Sequence, residues 1–305
     1  MNKIKKICQQ IGLVPTKRKG QNFLVNGRVL EKIIEAADLK SDDIVLEIGP
    51  GLGILTEALA KKVKKVIAVE LDKKLTVFLK EKFEHAHCVR CSPTNYKYGT
   101  NLQITNKTAV SPTQKNNNVE IIQGDILKIS NNQLSITNYQ YKLVANLPYQ
   151  ITGAVLRKFL VEAPKPKLMI LMLQKEVVER IMDKNKKTAI ISLVVKLFGQ
   201  PEMAGFVSKN NFWPRPKVDS AILKINLYKE NKFGLDTEKE QDFLKVIKTG
   251  FAHPRKQMVS NLSKIWPRAI VELALDQADK KPTTRAEDIK IEDWYTIYRY
   301  IYEGR

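Results

Sequence analysis

Asn146-Leu147-Pro148-Tyr149 is the stretch whose residue types and spacing fit a particular chemistry. The exocyclic amine of a purine is a poor nucleophile, because its lone pair is delocalised into the ring. The side-chain oxygen of Asn146 and a neighbouring backbone carbonyl can accept both amine protons, drawing the nitrogen toward tetrahedral geometry. Pro148 fixes its own backbone torsion and keeps those acceptors aimed. Tyr149 offers a ring face on which an everted base can stack. The same four residues also suit an ordinary strand-to-helix turn, so the tetrad carries weight only beside a second motif.

That motif is Glu47-Ile48-Gly49-Pro50-Gly51-Leu52-Gly53. Glycines between a strand and a helix let the backbone approach a ligand and aim helix N–H groups at it. The G-x-G-x-G spacing tilts away from the G-x-G-x-x-G of dinucleotide sites. Glu47 is badly placed against a pyrophosphate and well placed beside an ammonium group, and S-adenosylmethionine carries the ammonium and no phosphate. Glu70 ends the next strand, where a carboxylate accepts from both ribose hydroxyls; the plain alternative is a solvated strand-end acid before Asp72. Asp125, after Gly124, suits an acceptor for a cofactor's adenine amine and equally a helix N-cap. In Asn211-Phe212-Trp213-Pro214-Arg215-Pro216, Phe212 can close the far side of a base stacked on Tyr149, or simply pack at a rim. The two leading motifs, in this order on a basic chain, point to methyl transfer onto a nucleic-acid base.

His85, His87, Cys88 and Cys91 fall in one short run of the sequence. Adjacent ligands on one ion are sterically awkward and no second C-x-x-C follows, so no metal site is expected.

The elements that must position these residues can be read from periodicity. Apolar runs at Ile44–Ile48, Lys65–Glu70, Val119–Gln123, Lys142–Asn146, Leu168–Leu173 and Ala221–Leu227 read as strands. Helical spacing occurs at Leu55–Lys62, through Leu75, Phe78, Leu79 and Phe83, and at Thr152–Val161, Glu176–Met182 and Thr188–Leu197. Strict alternation argues for a mostly parallel sheet covered on both faces, and Pro214 and Pro216 suit a hairpin entering at the sheet edge. From about Tyr228 the pattern turns helical, at Phe243–Phe251, Gln257–Ile265, Ala269–Leu275 and Ile291–Ile301. The expected division is therefore a catalytic α/β domain over 1–228 and a small all-helical domain over 229–305. His85–Asn118 has six Asn, five Thr, two Pro, four basic and no acidic residues, and reads as a polar surface insertion.

Composition bounds the partners. With 52 Lys and Arg against 32 Asp and Glu, the formal charge of +20 favours a polyanion. Residues 1–40 carry nine basic and three acidic side chains, and Met1–Gly27 contains no acid, which suits a phosphate-binding arm around Lys17-Arg18-Lys19. Three cysteines give no disulfide framework, and no apolar run is long enough to cross a bilayer. The expectation is a cytoplasmic protein without a membrane partner.

These motifs together resemble the ribosomal RNA adenine dimethyltransferases of the kasugamycin-resistance family, nearly end to end. Lys19-Gly20-Gln21-Asn22-Phe23-Leu24 is similar to the family's N-terminal signature. Glu47–Gly53, Glu70, Gly124-Asp125, Asn146–Tyr149 and the run from Phe212 through Pro216-Lys217-Val218-Asp219-Ser220 follow in the family's order. In the tail, Phe251 through Leu262, with Arg255-Lys256, and Arg285-Ala286-Glu287 are also similar. The resemblance implies a Rossmann-like class I methyltransferase fold with a mostly parallel seven-stranded sheet and a helical tail that docks on the ribosomal particle. It implies a monomer that uses S-adenosylmethionine to dimethylate two neighbouring adenosines near the 3′ end of small-subunit rRNA, in a late assembly intermediate. Family cofactor contacts map onto Asn22, Leu24, Gly49, Glu70, Asp125 and Asn146, and the target-base site onto Asn146, Leu147, Tyr149 and Phe212, with Pro148 completing the tetrad. Two departures stand out: the lengthened segment between Glu70 and Asp125, and Trp213 beside Phe212, which leaves open which ring stacks on the base. Competing readings are a large-subunit adenine methyltransferase of the antibiotic-resistance type, a non-catalytic assembly or nucleic-acid-binding factor, and, more distantly, a nicotinamide-dependent oxidoreductase.

Overall fold

The computed structural model describes residues 2–16, 20–83, 118–134, 136–138, 140–162, 164–184 and 187–304. The expectations for Lys17–Lys19 and for residues 85–117, the candidate donors His85, His87, Cys88 and Cys91 included, lie outside the described residues.

Short runs of β-branched and apolar residues become strands wherever both faces can be covered. The chain opens with helix α1 (Asn2–Gln10), the two-residue strand β1 (Phe23–Leu24) and α2 (Gly27–Ala36). Next come β2 (Ile44–Ile48), α3 (Ile54–Ala60), β3 (Lys65–Glu70), α4 (Lys73–Phe83), β4 (Val119–Gln123) and β5 (Tyr141–Asn146). The second half holds α5 (Thr152–Val161), β6 (Leu168–Gln174), α6 (Lys175–Ile181), α7 (Ile190–Phe198), β7 (Gly199–Val207), β8 (Phe212–Trp213) and β9 (Ser220–Leu227). The tail is α8 (Thr237–Gly250), α9 (Met258–Leu262), α10 (Arg268–Gln277) and α11 (Ile291–Glu303).

The strands form a seven-stranded sheet in the order β4-β3-β2-β5-β6-β9-β7. Strands β2 to β6 are mutually parallel, while β9 runs antiparallel to both β6 and β7. The chain order reverses between β2 and β5, the crevice where doubly wound sheets place ligands. Alternate residues feed opposite layers: Leu143 and Ala145 of β5 enter one buried cluster, and Val144 enters the other. The first cluster runs on without interruption into the tail through Phe243, Leu262, Trp294 and Tyr298. The helical part is thus welded to one face of the sheet by shared apolar burial.

Five elements went unanticipated in the sequence: α1, α2, β7 and the two-residue strands β1 and β8. Helices α1 and α2 are short and amphipathic. Strand β7, with Pro201 and two glycines, lacks an apolar run; it is an edge strand, where a missing ladder donor is tolerated. It supplies the outer arm of the hairpin expected around Pro214 and Pro216.

At the N-terminal end of the strands, away from the crevice, Asp43 is fully buried between Lys142 Nζ at 2.8 Å and Lys167 Nζ at 2.6 Å. Lys142 also donates to the carbonyls of Ala37 and Asp38, tying the end of α2 to β5. Burial alone would raise the Asp43 carboxyl; the two ammonium groups and the Lys40 N–H override it and hold it below the usual carboxylate range.

Candidate active site

The C-terminal ends of β2, β3, β4 and β5 lie side by side, so residues far apart in sequence meet above one edge of the sheet. A cavity of about 680 Å³ opens there. Asn22, Leu24, Gly49, Glu70, Asp125 and Asn146 all line it, so the structure brings together every residue singled out for cofactor contact.

The floor is the turn after β2, with Gly49, Gly51 and Gly53 all in the left-handed region. Gly51 shows why side chains are excluded: at φ +58°, a Cβ would also sit 3.1 Å from the Phe23 ring. Glu70 stands opposite, its Oε2 accepting from Gly51 N–H at 3.1 Å and its Oε1 from Asp72 N–H at 2.9 Å. Burial, with the Asp72 charge beside it, pushes the Glu70 carboxyl up, against those backbone N–H bonds. Glu70 is therefore held rigidly at the cavity edge, not left as a solvated strand-end acid. Asp125 Oδ1 accepts from Leu127 N–H at 3.0 Å, capping a turn where a helix start was weighed, and the residue lines the cavity.

Glu47 is the electrostatic anomaly. It is 1% exposed and lines the cavity, yet its Oε2 has no hydrogen-bond partner among the described residues. Burial first, and the neighbouring Glu70 charge, push its carboxyl up to about 8, while the Thr56 hydroxyl and Lys82 ammonium pull the other way. An unpaired buried acid is costly unless a cation completes it.

The N-terminal segment walls the cavity. Ile4, Cys8 and Leu13 pack with Phe23, Leu52 and Leu75. Lys74 Nζ donates to Gly12 O at 2.5 Å, and Gln21 bridges Thr16 N–H to Asp72. Strand β1 then pairs with β8, Leu24 opposite Phe212 and Phe23 opposite Trp213. Asn26 caps α2 through Arg28 N–H and donates to Asn211 Oδ1 at 2.8 Å. The segment that lines the cavity is thereby hydrogen-bonded to the aromatic loop.

Asn146 ends β5 half-buried. Its Nδ2 donates to Asn22 O at 3.3 Å, so the amide nitrogen is engaged by the N-terminal segment and the side-chain oxygen is the acceptor left to present. Pro148 and Gln150 also line the cavity. Gly20 packs directly on this turn: at φ +62°, a Cβ would lie 2.8 Å from Pro148 Cβ.

The remaining candidates do not line the cavity. Leu147 is buried in the main apolar cluster, leaving its backbone as the part available to a ligand. Tyr149 is half-buried and its hydroxyl hydrogen-bonds Ser220 Oγ at 2.9 Å. Phe212 is 5% exposed among the aliphatic residues on the other side of the sheet, and Trp213 is the more exposed of the two rings. The roles of Gly20, the Asn22 carbonyl and Ser220 escaped sequence reasoning. Only the Gly before Gln21 and the Ser closing the Phe212–Ser220 run gave a signal, and neither said what it would touch.

Residues 15–303 match the family model described as ribosomal RNA adenine dimethylase. A ribosomal RNA small subunit methyltransferase A of Dehalococcoides mccartyi is 37% identical over 297 residues, covering 96% of this chain and 91% of the relative. The protein of that name from Alkaliphilus metalliredigens is 30% identical, with 98% and 96% covered. A dimethyladenosine transferase structure from Plasmodium falciparum superposes with TM-score 0.67 at 26% identity, covering 92% of this chain and 98% of that one. The 23S rRNA methyltransferase ErmE shares the fold, with TM-score 0.67 at 24% identity over 92% of this chain and 99% of the other.

Proposed function

The chain belongs to the ribosomal RNA adenine dimethylase family, and from that premise we propose that it takes both methyl groups for each target adenosine from S-adenosylmethionine. It is an rRNA adenine methyltransferase of the small-subunit kind. Its targets are two neighbouring adenosines near the rRNA 3′ end, reached in an immature particle during late assembly. It acts as a cytoplasmic monomer, and the helical residues 229–305 dock on that particle. In keeping with this, no helix among the described residues is long and apolar enough to cross a membrane.

The observation that carries the reading is the meeting, along one cavity, of the buried Glu47 carboxyl group, its Oε2 without a partner among the described residues, and the Asn146 turn. About 680 Å³ is within the range of small-molecule sites, roughly 300–1,000 Å³. Glu47 Oε2 lacks the partner that a cationic ligand would supply, which suits a sulfonium cofactor with an ammonium tail. Glu70 would hold the ribose hydroxyls and Asp125 the adenine amine. When bound, the cofactor supplies an electrophilic methyl group.

The chain's own residues supply geometry. Asn146 Oδ1 and the Leu147 carbonyl would accept the two protons of the target amine, localising the lone pair toward the methyl group. Asn22 O holds the Asn146 amide in the flip state that presents oxygen. The methylated nitrogen becomes strongly acidic and loses its proton to water, so no dedicated base is required. Tyr149 and a ring of the Phe212–Trp213 pair would steady the everted base. Nucleoside analysis of unmethylated small subunits treated with enzyme and S-adenosylmethionine should reveal N6,N6-dimethyladenosine. Recovery of no methylated adenosine would overturn the proposal.

A further inference from the structure

We infer that Ser220 is a positioning residue for the reaction: its hydroxyl locks the Tyr149 ring into the orientation that receives the target base. The inference rests on the reading of Tyr149 as the stacking platform.

Tyr149 follows Pro148 in the turn after β5, so its backbone is fixed while its ring is free to turn about the side-chain torsions. The hydrogen bond from ring oxygen to Ser220 Oγ, at 2.9 Å, fixes the far end of that side chain as well. A ring held at both ends is set before any base arrives, which removes an ordering cost from the encounter. The anchor itself is stiff. Ser220 is fully buried as the first residue of β9, paired with Gln174 of β6 on one side and Val207 of β7 on the other. Its neighbour Asp219 is fastened too, Oδ1 accepting from Lys209 N–H at 2.9 Å and the carbonyl accepting from Lys175 N–H at 3.0 Å.

Position in the chain strengthens the case. Ser220 closes the loop that begins at Phe212, so one hydroxyl ties the Asn146–Tyr149 turn to the loop carrying Phe212 and Trp213. The spacing of the two sides of the base site is then set by the sheet and not by loop motion. A buried serine hydroxyl here is unfavourable without a partner, and the Tyr149 phenol, held up by burial and the Asp219 charge, stays protonated and able to bond it. Neither residue lines the cofactor cavity, so the pair should influence the base and not the cofactor.

The test is a double-mutant cycle on the full chain, using unmethylated small subunits and S-adenosylmethionine. Tyr149→Phe and Ser220→Ala should each lower kcat about tenfold, the scale of one hydrogen bond. Cofactor affinity by calorimetry should hold within about twofold, the double variant should be no worse than either single, and Ser220→Thr should recover most activity. Additive losses, or wild-type kcat in Ser220→Ala, would overturn the inference. Tyr149→Phe probes the same bond from a half-buried site if Ser220→Ala folds poorly. Tyr149→Ala separates the two levels: unchanged kcat there would remove the platform reading itself, and the role of Ser220 with it.

Discussion

Asn146 is the residue on which the proposed chemistry turns, and its surroundings say which atom would matter. With Nδ2 engaged by Asn22 O, the oxygen is the free acceptor. Asn146→Ala should cut methyl transfer by roughly 10²–10³, the cost of removing one preorganised polar group, while RNA binding in a filter assay stays nearly unchanged. Equal loss of both would contradict its placement. Glu47 makes a prediction about pH. A carboxyl raised to about 8 adds stability that is full below the ordinary carboxylate range and is lost as pH rises through about 8. The melting temperature of the cofactor-free protein should therefore fall between about pH 5 and 8 more steeply than that of Glu47→Gln; parallel curves would refute the assignment. Asn22 and Leu24 came only from the family resemblance, whereas Gly49, Glu70, Asp125 and Asn146 were legible in the sequence because each ends or follows a recognisable strand. The Asn22 carbonyl and Ser220 were not, since their partners lie 124 and 71 residues away and no local pattern encodes such pairings.

Elements show the same division. Strands β2, β3, β5, β6 and β9 were readable as apolar runs because their residues are mostly buried, while β4, at the sheet edge, leaves Glu120 and Gln123 exposed; the bounds of all six differ from expectation by at most one residue. The β1–β8 pairing was invisible, being two residues long with a register set wholly by tertiary contact. It nevertheless links the wall of the cofactor cavity to the aromatic loop. Gly20 tests how tightly that wall is fitted. Gly20→Ala strains a left-handed backbone and drives a methyl group into Pro148. It should cost about 1–2 kcal/mol in urea unfolding and weaken cofactor binding, since Gln21 and Asn22 move with it. Wild-type values in both measurements would show that the N-terminal segment does not depend on this contact.

The whole molecule is a basic chain whose strand ends and N-terminal wall enclose one cavity, with the helical tail joined to the sheet through the main apolar cluster. Its charge of +20 suits a polyanionic substrate. The tail was legible as helical, but its joining to the sheet was not, because residues such as Phe243 and Trp294 share one apolar cluster with Leu143, Leu171 and Leu223 only through packing of elements far apart in the chain. Residues 85–117 are proposed as an addition to this framework. Asn118, just after them, donates to the carbonyls of Ala60 and Val63 and would stay. Replacing 85–117 with a short Gly-Ser linker should leave the melting temperature within a few degrees and β4 in register; a collapse would show the segment to be structural. The decisive experiment uses labelled S-adenosylmethionine with separated small and large ribosomal subunits that lack the modification, followed by mapping of the labelled nucleotides. We expect label on two adjacent adenosines near the 3′ end of the small-subunit rRNA. Label confined to large-subunit rRNA, or on neither, would contradict the function argued for this protein.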